Sequence, residues 1–554
     1  MAANDITGTQ VLLGDEAVAL GAVHAGISTA YAYPGTPATE ILEYLVRYEK
    51  AHGAPKAVWA VNEKTAMEQG LGASMVGRRT LVAMKHVGLN VAADPFMNAA
   101  IVDIHGGVAV AVADDPGMHS SQNEQDSRYF ADFARIVCFE PTNQQEAYEM
   151  TREAYDLSEK HHIPVLLRLV TRLAHSRAVV ETREGLAQRP VSKSENSGQG
   201  WTLLPANARK QWHLLLEAQK DFAAYSEASS FNHLTINEEN KDLGIITCGL
   251  ARNYYEECVD DLDNAPSHLH IGVYPFPADK IRALGRHVKR IAILEEGYPF
   301  VERAMRGVFP TDVEVLGKES GQLPLDGELT PELVRVALGL ENPKPRIDLG
   351  DFSLPGRPPQ LCAGCPHGDT YTALNRVVAS VTESLVTADI GCYTLGALEP
   401  YSAIESCVDM GASVSMAKGA ADAGFGPVFA VIGDSTFLHS GITPLIDAVA
   451  NNAPMTLIIV DNETVAMTGG QPTLLPSSRL EKIVLGIGVD PAHLRTARAH
   501  PRDHDAMEAI LQEEMVYEGI SVVIFIRECV ETLQRKKKAQ KRQRAAKKQQ
   551  EASK

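Results

Sequence analysis

Short apolar runs alternate with helical patterns in the first third of the chain. Four of these runs have the length and the β-branched character of buried strands. They are Val58–Val61, Thr80–Met84, Val108–Val112 and Pro164–Leu169. Because such alternation is typical of strands covered by helices on both faces, we predict a doubly wound α/β domain over residues 1–184.

The next part of the chain changes character twice. Residues 185–240 carry the polar run Ser192–Gly200 and few strand signals, which indicates a region that connects domains. Residues 241–341 return to the α/β pattern, with strands predicted at Ile271–Tyr274 and Arg290–Glu295. We therefore predict a second, smaller α/β domain over residues 241–341.

A third α/β domain is predicted for residues 361–533, after a proline-rich linker at 342–360. Its predicted strands are Leu385–Asp389, Val428–Ile432, Thr456–Val460 and Ser521–Ile526. A basic tail, residues 534–554, completes the chain.

Composition supports a globular multidomain protein, with 45% hydrophobic and 22% charged residues in 554. The apolar runs are all of strand length and the first ten residues lack an export signal, so we expect a cytoplasmic protein without a membrane span. The net charge is −18 although the tail is strongly basic. The tail either keeps the protein soluble or contacts nucleic acid, a membrane or an acidic partner; we expect no nucleic acid.

Two parallel-strand ends carry the strongest chemical signal. The strand Val428–Ile432 runs into Gly433-Asp434-Ser435, and Thr456–Val460 runs into Asp461-Asn462-Glu463-Thr464. Because the carboxyl ends of parallel strands face one crevice, Asp434 and Asn462 can share an ion. Carboxylate, amide and carbonyl oxygens beside a diphosphate suit Mg²⁺. Gly433-Asp434 alone is also compatible with a plain strand-end turn.

This spacing resembles the thiamine-diphosphate motif, in which an Asn follows Gly-Asp-Gly by a little under thirty residues; Ser435 departs from it. The segment Asp461–Gln471 is similar to that of 2-oxo acid:ferredoxin oxidoreductases, and Met84–Asn90 resembles the large subunits of their indolepyruvate branch. The resemblance implies pyrimidine- and diphosphate-binding domains at 1–184 and 361–533, and a transketolase C-terminal-like domain at 241–341. It assigns the cofactor to Gly433, Asp434, Ser435, Asn462, Thr464, Asp389 and Gly391. It assigns Mg²⁺ to Asp434, Asn462 and Thr464.

The resemblance also assigns roles in the first domain. Glu63, in Val61-Asn62-Glu63-Lys64, matches the carboxylate that activates thiamine, although a first-turn Glu is also favoured by the helix dipole. Thr36, in Tyr33-Pro34-Gly35-Thr36-Pro37, matches a loop that lines the substrate; N-capping a helix is an alternative. Lys85 is the candidate partner of the substrate carboxylate, although a strand-end Lys is often simply exposed.

Eight cysteines are too few for a disulfide scaffold, and Cys362-Ala363-Gly364-Cys365 indicates metal or redox chemistry. With Cys392 and Cys529 this pair resembles the family's ligands to one four-iron cluster. Structural zinc and unligated cysteines are alternatives. Larger relatives add a ferredoxin-like module, which we do not find here. The resemblance therefore implies electron transfer from the single cluster to ferredoxin, another carrier or a smaller partner subunit.

The expected reaction is oxidative decarboxylation of an aromatic 2-oxo acid, such as indolepyruvate, with coenzyme A accepting the acyl group. The middle domain either contacts coenzyme A or braces an oligomer. A non-oxidative thiamine-dependent decarboxylase or carboligase is the first alternative. A degenerate, non-catalytic binding subunit is the second.

Overall fold

The computed structural model describes residues 8–192, 200–305, 312–343, 353, 356 and 359–552, with only the backbone for 545–552. Most of the polar run Ser192–Gly200 and of the predicted linker 342–360 lies outside the described residues. The chain forms two compact units, residues 1–348 and 349–554, which we call the first and the second unit.

The first unit is built around a seven-stranded sheet. Its strands lie in the order Val273–Tyr274, Cys138–Phe139, Val165–Val170, Val108–Asp114, Thr80–Lys85, Thr29–Ala32 and Lys56–Trp59. All neighbours are parallel except Val273–Tyr274, which is antiparallel. Every residue of Val108–Asp114 is buried, as expected for a parallel strand covered on both faces.

A five-stranded sheet forms the rest of this unit's framework. Its strands lie in the order Glu314–Leu316, Arg290–Leu294, Leu243–Cys248, Ser267–Ile271 and Asn232–Thr235, with only the last antiparallel to its neighbour. A two-stranded antiparallel ribbon pairs Gly8–Leu13 with Arg177–Thr182.

Helices cover these sheets. The helices of the first unit are Gly14–His24, Thr39–His52, Glu63–Met75, His86–Val91, Ala93–Ala99, Arg128–Ala134, Gln144–His161, Thr171–His175, Pro205–Ala228, Ala251–Glu256, Ala278–His287, Phe300–Met305 and Pro331–Ala337, with a 3₁₀ turn at Val259–Asp261.

Two sequence expectations need correction here. Residues 185–240 are more than a connection, because they contain the helix Pro205–Ala228 and the strand Asn232–Thr235. Leu215 and Phe222 of that helix are buried in the main core of the unit. The predicted strand Ile271–Tyr274 is split, since Ile271 pairs in the five-stranded sheet whereas Val273 and Tyr274 pair in the seven-stranded sheet.

The second unit contains one parallel five-stranded sheet, in the order Leu385–Ala388, Val428–Gly433, Met455–Asp461, Ile520–Ile526 and Leu494–Arg498. The sequence did not predict the edge strand Leu494–Arg498. A short antiparallel ribbon pairs Thr464–Val465 with Gln471–Pro472. Its α-helices are Pro366–Val378, Ala412–Asp422, Asp434–Thr436, Ile442–Ala450, Ser477–Ile487, His504–Met515 and Val530–Ala552, with a π-helical turn at Phe437–Gly441 and 3₁₀ turns at Cys392–Ala397, Pro491–His493 and Pro501–Asp503.

Residues 534–552 of the tail are helical, as part of Val530–Ala552. Among the described residues, none of the helices combines the length and the apolar character that crossing a membrane requires.

A buried ion-pair network fastens the two large sheets of the first unit together. The fully buried guanidinium of Arg168 donates through Nε to Asp114 Oδ2 at 2.7 Å, and a second nitrogen pairs with Glu140. It also donates to the backbone carbonyl of Glu296, which follows the strand Arg290–Leu294, at 3.1 Å. Because the charges are desolvated, each depends on its partner.

Arg168→Met should therefore destabilise the protein by about 3–5 kcal/mol, since it leaves Asp114 and Glu140 buried without this partner. Urea unfolding followed by circular dichroism measures the effect. The control is Arg183→Met, because Arg183 is 66% exposed and pairs with Glu149 at the surface. Equal urea midpoints for the two variants would contradict a structural role for the buried network.

Candidate active site

In the second unit, Asp434 lies at the junction between a strand and a helical stretch. The strand Val428–Gly433 ends there, and helical residues continue through a π-helical turn to Ala450. The first backbone N–H groups of such a stretch have no helical partner, so they favour an anion. The junction therefore provides a phosphate-binding position beside a carboxylate.

Two buried carboxylates face each other at these strand ends. Burial raises the pKa of Asp434 well above its usual range, and the neighbouring charge of Asp461 raises that pKa further. Asp461 is 1% exposed, and its Oδ2 has no hydrogen-bond partner among the described residues. A buried pair of acids with an orphaned oxygen fits a divalent cation, which would compensate both charges.

Asn462 forms a tight turn after Asp461. Its Oδ1 accepts from the backbone N–H of Thr464 at 3.0 Å, and Glu463 between them has a positive φ of 60°. The hydroxyl of Thr464 donates to the carbonyl of Gln471 at 2.9 Å. Because an amide oxygen has two lone pairs, Asn462 Oδ1 keeps one position for a cation. The structure thus brings Asp434, Asn462 and Thr464 to one edge of the sheet.

The predicted glycines serve the packing of Tyr393. A Cβ on Gly433 would come within 2.7 Å of the Tyr393 ring, and a Cβ on Gly391 within 2.5 Å. Tyr393 is buried and donates from its hydroxyl to the carbonyl of Ile390 at 3.1 Å. Both glycines are therefore needed for the ring to lie between the two strand ends.

Asp389 holds the start of a helix. Its two carboxylate oxygens accept from the backbone N–H and the hydroxyl of Ser413, each at 2.6 Å. Burial raises the pKa of Asp389 to about 7, and the bonds from Ser413 oppose that rise. In this structure its contacts position the helix Ala412–Asp422 beside the strand end. Ser435 is half-buried next to Asp434, and its backbone N–H lowers the pKa of that carboxyl.

The four predicted cluster cysteines line one cavity. Cys362, Cys365, Cys392 and Cys529 surround it, and Asn462 forms part of the same wall. All four are free thiols, and the backbone N–H of Cys529 donates to the carbonyl of Asn462 at 3.1 Å. The thiols therefore adjoin the residues of the candidate cation site.

A backbone turn places Cys362 and Cys365 at the wall of the cavity. The backbone N–H of Cys365 donates to the carbonyl of Cys362 at 3.0 Å, and Gly364 between them has a φ of 75° that suits glycine. Arg527, at the end of the last central strand, donates to the carbonyl of Gly364 at 2.6 Å. It also pairs with Asp369 at 2.6 Å. Arg527 therefore connects the turn that carries Cys362 and Cys365 to the end of the strand Ile520–Ile526.

Among the described residues, the sulfur atoms of these cysteines are not spaced as the ligands of one tetrahedral zinc ion would be. Ligands at the usual Zn–S distance of about 2.3 Å lie roughly 3.8 Å apart in a tetrahedron. In the part of the chain that the structure describes, no three of these thiols have sulfur atoms within 4.8 Å of one another. Burial raises the pKa of Cys365 to about 11 and that of Cys392 to about 12, so a positively charged group is needed to hold them as thiolates.

His367 links the thiols to the cation site. Its Nδ1 lies 3.1 Å from Cys365 Sγ, and its Nε2 lies 3.4 Å from Asn462 Nδ2. Because Asn462 Oδ1 already accepts from Thr464, Nδ2 is the donor and His367 Nε2 must accept. Burial lowers the pKa of His367 to about 4, so the ring is neutral and its proton lies on Nδ1, directed at sulfur.

In the first unit, Glu63 begins a helix at a strand-to-helix junction. The N-cap residue Asn62 accepts from the backbone N–H of Thr65 at 2.8 Å. Glu63 is 5% exposed, and its carboxylate packs so closely against Gly88 that a Cβ there would come within 2.6 Å of Oε1. Gly88 therefore leaves the space that the buried carboxylate occupies.

Lys85 and Thr36 are joined through one serine. Lys85 Nζ donates to the backbone carbonyl of Ser120 at 2.9 Å, while the Ser120 hydroxyl donates to the carbonyl of Thr36 at 3.1 Å. Lys85 is buried rather than exposed at its strand end. Burial lowers its pKa to about 8, and the charges of Asp115 and Glu63 oppose that fall. The structure thus groups Glu63, Lys85 and the Thr36 loop.

Thr36 does not cap the following helix, which was the alternative for this residue. The helix Thr39–His52 has Ala38 at its N-cap, and the hydroxyl of Thr39 accepts from the backbone N–H of Gly35. Thr36 is half-buried in the loop that precedes the helix.

Sequence reasoning missed Asp461, His367 and Ser120 as parts of these sites. Asp461 and His367 lie next to predicted residues, in Asp461-Asn462 and Cys365-Pro366-His367, which is the signal that could have singled them out. Ser120 lies in a loop with no local signal.

Known families match both units. Residues 20–203 match the family described as pyruvate flavodoxin/ferredoxin oxidoreductase, thiamine diphosphate-binding. Residues 389–525 match the C-terminal thiamine pyrophosphate-binding domain of thiamine pyrophosphate enzymes. These matches contain Glu63 and Asp434, respectively.

Full-length relatives are also found. The indolepyruvate oxidoreductase subunit IorA of Archaeoglobus fulgidus is 38% identical over 555 residues, covering 95% of this chain and 87% of that protein. The IorA subunit of Methanothermobacter thermautotrophicus is 36% identical over 541 residues, covering 94% and 86%.

A solved structure, the 2-oxoglutarate:ferredoxin oxidoreductase from Magnetococcus marinus with 2-oxoglutarate, coenzyme A and succinyl-CoA bound, is similar in fold. It has a TM-score of 0.50 at 18% identity, covering 60% of this chain and 65% of that one. At this identity the similarity concerns the fold.

The two matched domains and the full-length relatives define the class: this chain is a thiamine-diphosphate-dependent enzyme of 2-oxo acid oxidoreduction. Within that class, it belongs to the family of the indolepyruvate oxidoreductase subunit IorA. The predicted α/β fold with thiamine-binding domains and the family resemblance are both confirmed.

Proposed function

We propose that the chain catalyses oxidative decarboxylation of an aromatic 2-oxo acid, transferring electrons to a four-iron cluster and the acyl group to coenzyme A. The observation that carries this proposal is the cavity where four free thiols adjoin Asn462. Electron transfer benefits from such proximity, whereas a non-oxidative enzyme has no need of it. When bound, thiamine diphosphate supplies the electron sink for decarboxylation.

In this proposal the second unit holds the cofactor's charged end. Asp434, the amide oxygen of Asn462 and the carbonyl of Thr464 bind Mg²⁺, which prefers oxygen ligands. Asp461 adds negative charge beside them. Ser435 and the backbone N–H groups at the start of the helical stretch bind the diphosphate.

Glu63 acts as the activating carboxylate, holding a proton at N1′ of the aminopyrimidine. Its burial suits this role, because a carboxylate shielded from water interacts more strongly with a nearby ring nitrogen. Lys85 binds the substrate carboxylate, and Thr36 donates from its hydroxyl to the oxo acid. Ser120 positions both through its carbonyl and its hydroxyl.

Cys362, Cys365, Cys392 and Cys529 hold the cluster, and His367 donates from Nδ1 to the sulfur of Cys365. Such N–H···S bonds stabilise the reduced cluster. The IorA relatives are named subunits of an indolepyruvate oxidoreductase, which supports an arylpyruvate substrate and a partner subunit in a hetero-oligomer. We expect that partner to be the smaller subunit. The bound ligands of the Magnetococcus marinus enzyme suggest coenzyme A. Ferredoxin or another carrier takes the electrons onward.

Glu63→Gln should abolish turnover of an arylpyruvate, with a fall in kcat of at least about 100-fold, because a neutral amide cannot stabilise the activated aminopyrimidine. Binding of thiamine diphosphate with Mg²⁺, measured by calorimetry, should be largely unchanged. The control is Glu68→Gln on the same helix, where the carboxylate is half exposed and pairs with Lys64. Unchanged turnover in Glu63→Gln would remove its proposed role.

The dependence of kcat/KM on pH should report Lys85. The pKa of this amine is lowered to about 8, so it is charged at neutral pH and loses its charge as the pH rises. We therefore expect kcat/KM for the 2-oxo acid to fall about tenfold per pH unit above about 8. Lys85→Arg should shift this fall to higher pH, since guanidinium stays charged. A fall at the same pH in the variant would exclude Lys85 as its origin.

Anaerobically purified protein should contain about four irons and four sulfides per chain. Arylpyruvate and coenzyme A should then produce a reduced-cluster signal in electron paramagnetic resonance. Cys392→Ser should lose most of the iron, because it removes one ligand. Cys407→Ser should retain it, since the Cys407 thiol contacts Thr394 Oγ1 and does not line the cavity.

Protein without iron that still converts the acid to an aldehyde would identify a non-oxidative decarboxylase or carboligase. Zinc in place of iron, dependent on the same cysteine, would identify a structural metal site.

A further inference from the structure

Three potential metal ligands from separate helices of the first unit come close together. Asp15 is the second residue of Gly14–His24, Glu40 is the second of Thr39–His52, and His175 is the last of Thr171–His175. One potential ligand atom from each lies within 4.8 Å of the other two. None of the three has a role in the proposed reaction.

Asp15 is the unusual member of this group. It is fully buried, and among the described residues neither of its carboxylate oxygens has a hydrogen bond of normal geometry. Burial and the charge of Glu40 raise its pKa well above the usual range, although the backbone N–H of Ile41 acts in the opposite direction. A buried carboxylate is costly to ionise without a compensating positive charge, so Asp15 favours its protonated form unless a cation binds beside it.

The ion pair beside Asp15 compensates only one of the two acids. His175 Nε2 lies 3.4 Å from Glu40 Oε2, and Glu40 raises the pKa of His175. The neighbouring Glu16 is engaged elsewhere, since its Oε2 accepts from the backbone N–H of Leu13 and its Oε1 pairs with Arg47. Glu40 therefore has a cationic partner within the protein, and a metal ion would provide one for Asp15.

The backbone is built to bring these helices together. A Cβ on Gly14 would overlap the carbonyl oxygen of Leu173 and come within 3.2 Å of the Ala174 Cα. Glycine at this position lets the first turn of Gly14–His24 lie directly against Thr171–His175. The contact places Asp15 beside His175.

We propose that Asp15, Glu40 and His175 bind one first-row divalent metal ion such as Mn²⁺ or Zn²⁺. Two carboxylates and one imidazole suit these ions, whereas Mg²⁺ prefers oxygen ligands alone. The ion enters from solvent, because the side chains of Glu40 and His175 are each 35% exposed while Asp15 forms the buried base. Water completes its coordination.

A bound ion at this position would fix the loop that carries Thr36. Glu40 follows that loop in the first turn of Thr39–His52. His175 ends the helix whose Thr171 hydroxyl donates to Asp115 at 2.8 Å, and Asp115 in turn accepts from the Ser120 backbone N–H at 2.8 Å. The metal would thus link Glu40, which follows the loop, to the Thr171–Asp115–Ser120 contacts that hold the loop in place.

Pulsed electron paramagnetic resonance of Mn²⁺ tests the proposal on the full-length protein saturated with Mg²⁺ and thiamine diphosphate. We expect a nitrogen coupling from one imidazole that disappears in His175→Asn. It should persist in His52→Asn, the matched control, because His52 is exposed on the surface of the same unit. A coupling from another histidine, such as His367, would survive in both variants.

Mn²⁺ affinity supplies a second measurement. Asp15→Asn and Glu40→Gln should each weaken binding at least about tenfold, since each removes an anionic ligand. Glu40→Gln changes a half-exposed residue, so it tests the site even if Asp15→Asn fails to fold. The proposal is overturned if no coupling depends on His175 and both affinities equal that of the unmodified protein; the buried acids then share a proton instead.

Discussion

The juxtaposition of two buried acids, Asp434 and Asp461, is the constraint on which the chemistry of the second unit depends. Both lie at carboxyl ends of adjacent parallel strands, so the sheet itself forces them together. Burial and their repulsion raise the pKa of Asp434, and either a proton or a cation relieves that repulsion. A cation bound here would compensate both acids at once, which is why their juxtaposition suits a metal site.

The first unit also buries carboxylates, but there the compensating positive charges come from the protein itself. Arg128 and Arg168 are fully buried, and each pairs with several carboxylates at the strand ends. Because these cations are side chains of the protein, the network forms without a ligand and holds the two sheets together. Buried charges therefore stabilise the fold in the first unit, whereas in the second unit they form a candidate binding site.

Sequence patterns predicted those features of the fold and the site that depend on residues close together in the chain. Strand periodicity located the ends at Asp434 and Asn462, and the cysteine spacing identified thiols that share a cavity. They did not predict Leu494–Arg498, a short edge strand that is only half-buried and lacks a continuous apolar run. Ser120 could not be found either, because its role arises from contacts with residues distant in sequence.

His367 connects the candidate cation site with the thiol of Cys365 through a series of hydrogen bonds. The backbone N–H of Thr464 fixes the amide of Asn462, the amide fixes which nitrogen of His367 accepts, and that choice directs the remaining proton to Cys365. Because the ring is buried and neutral, it cannot satisfy both neighbours in the other tautomer. Any ligand that withdraws the Asn462 amide would therefore also change the hydrogen bond to the sulfur.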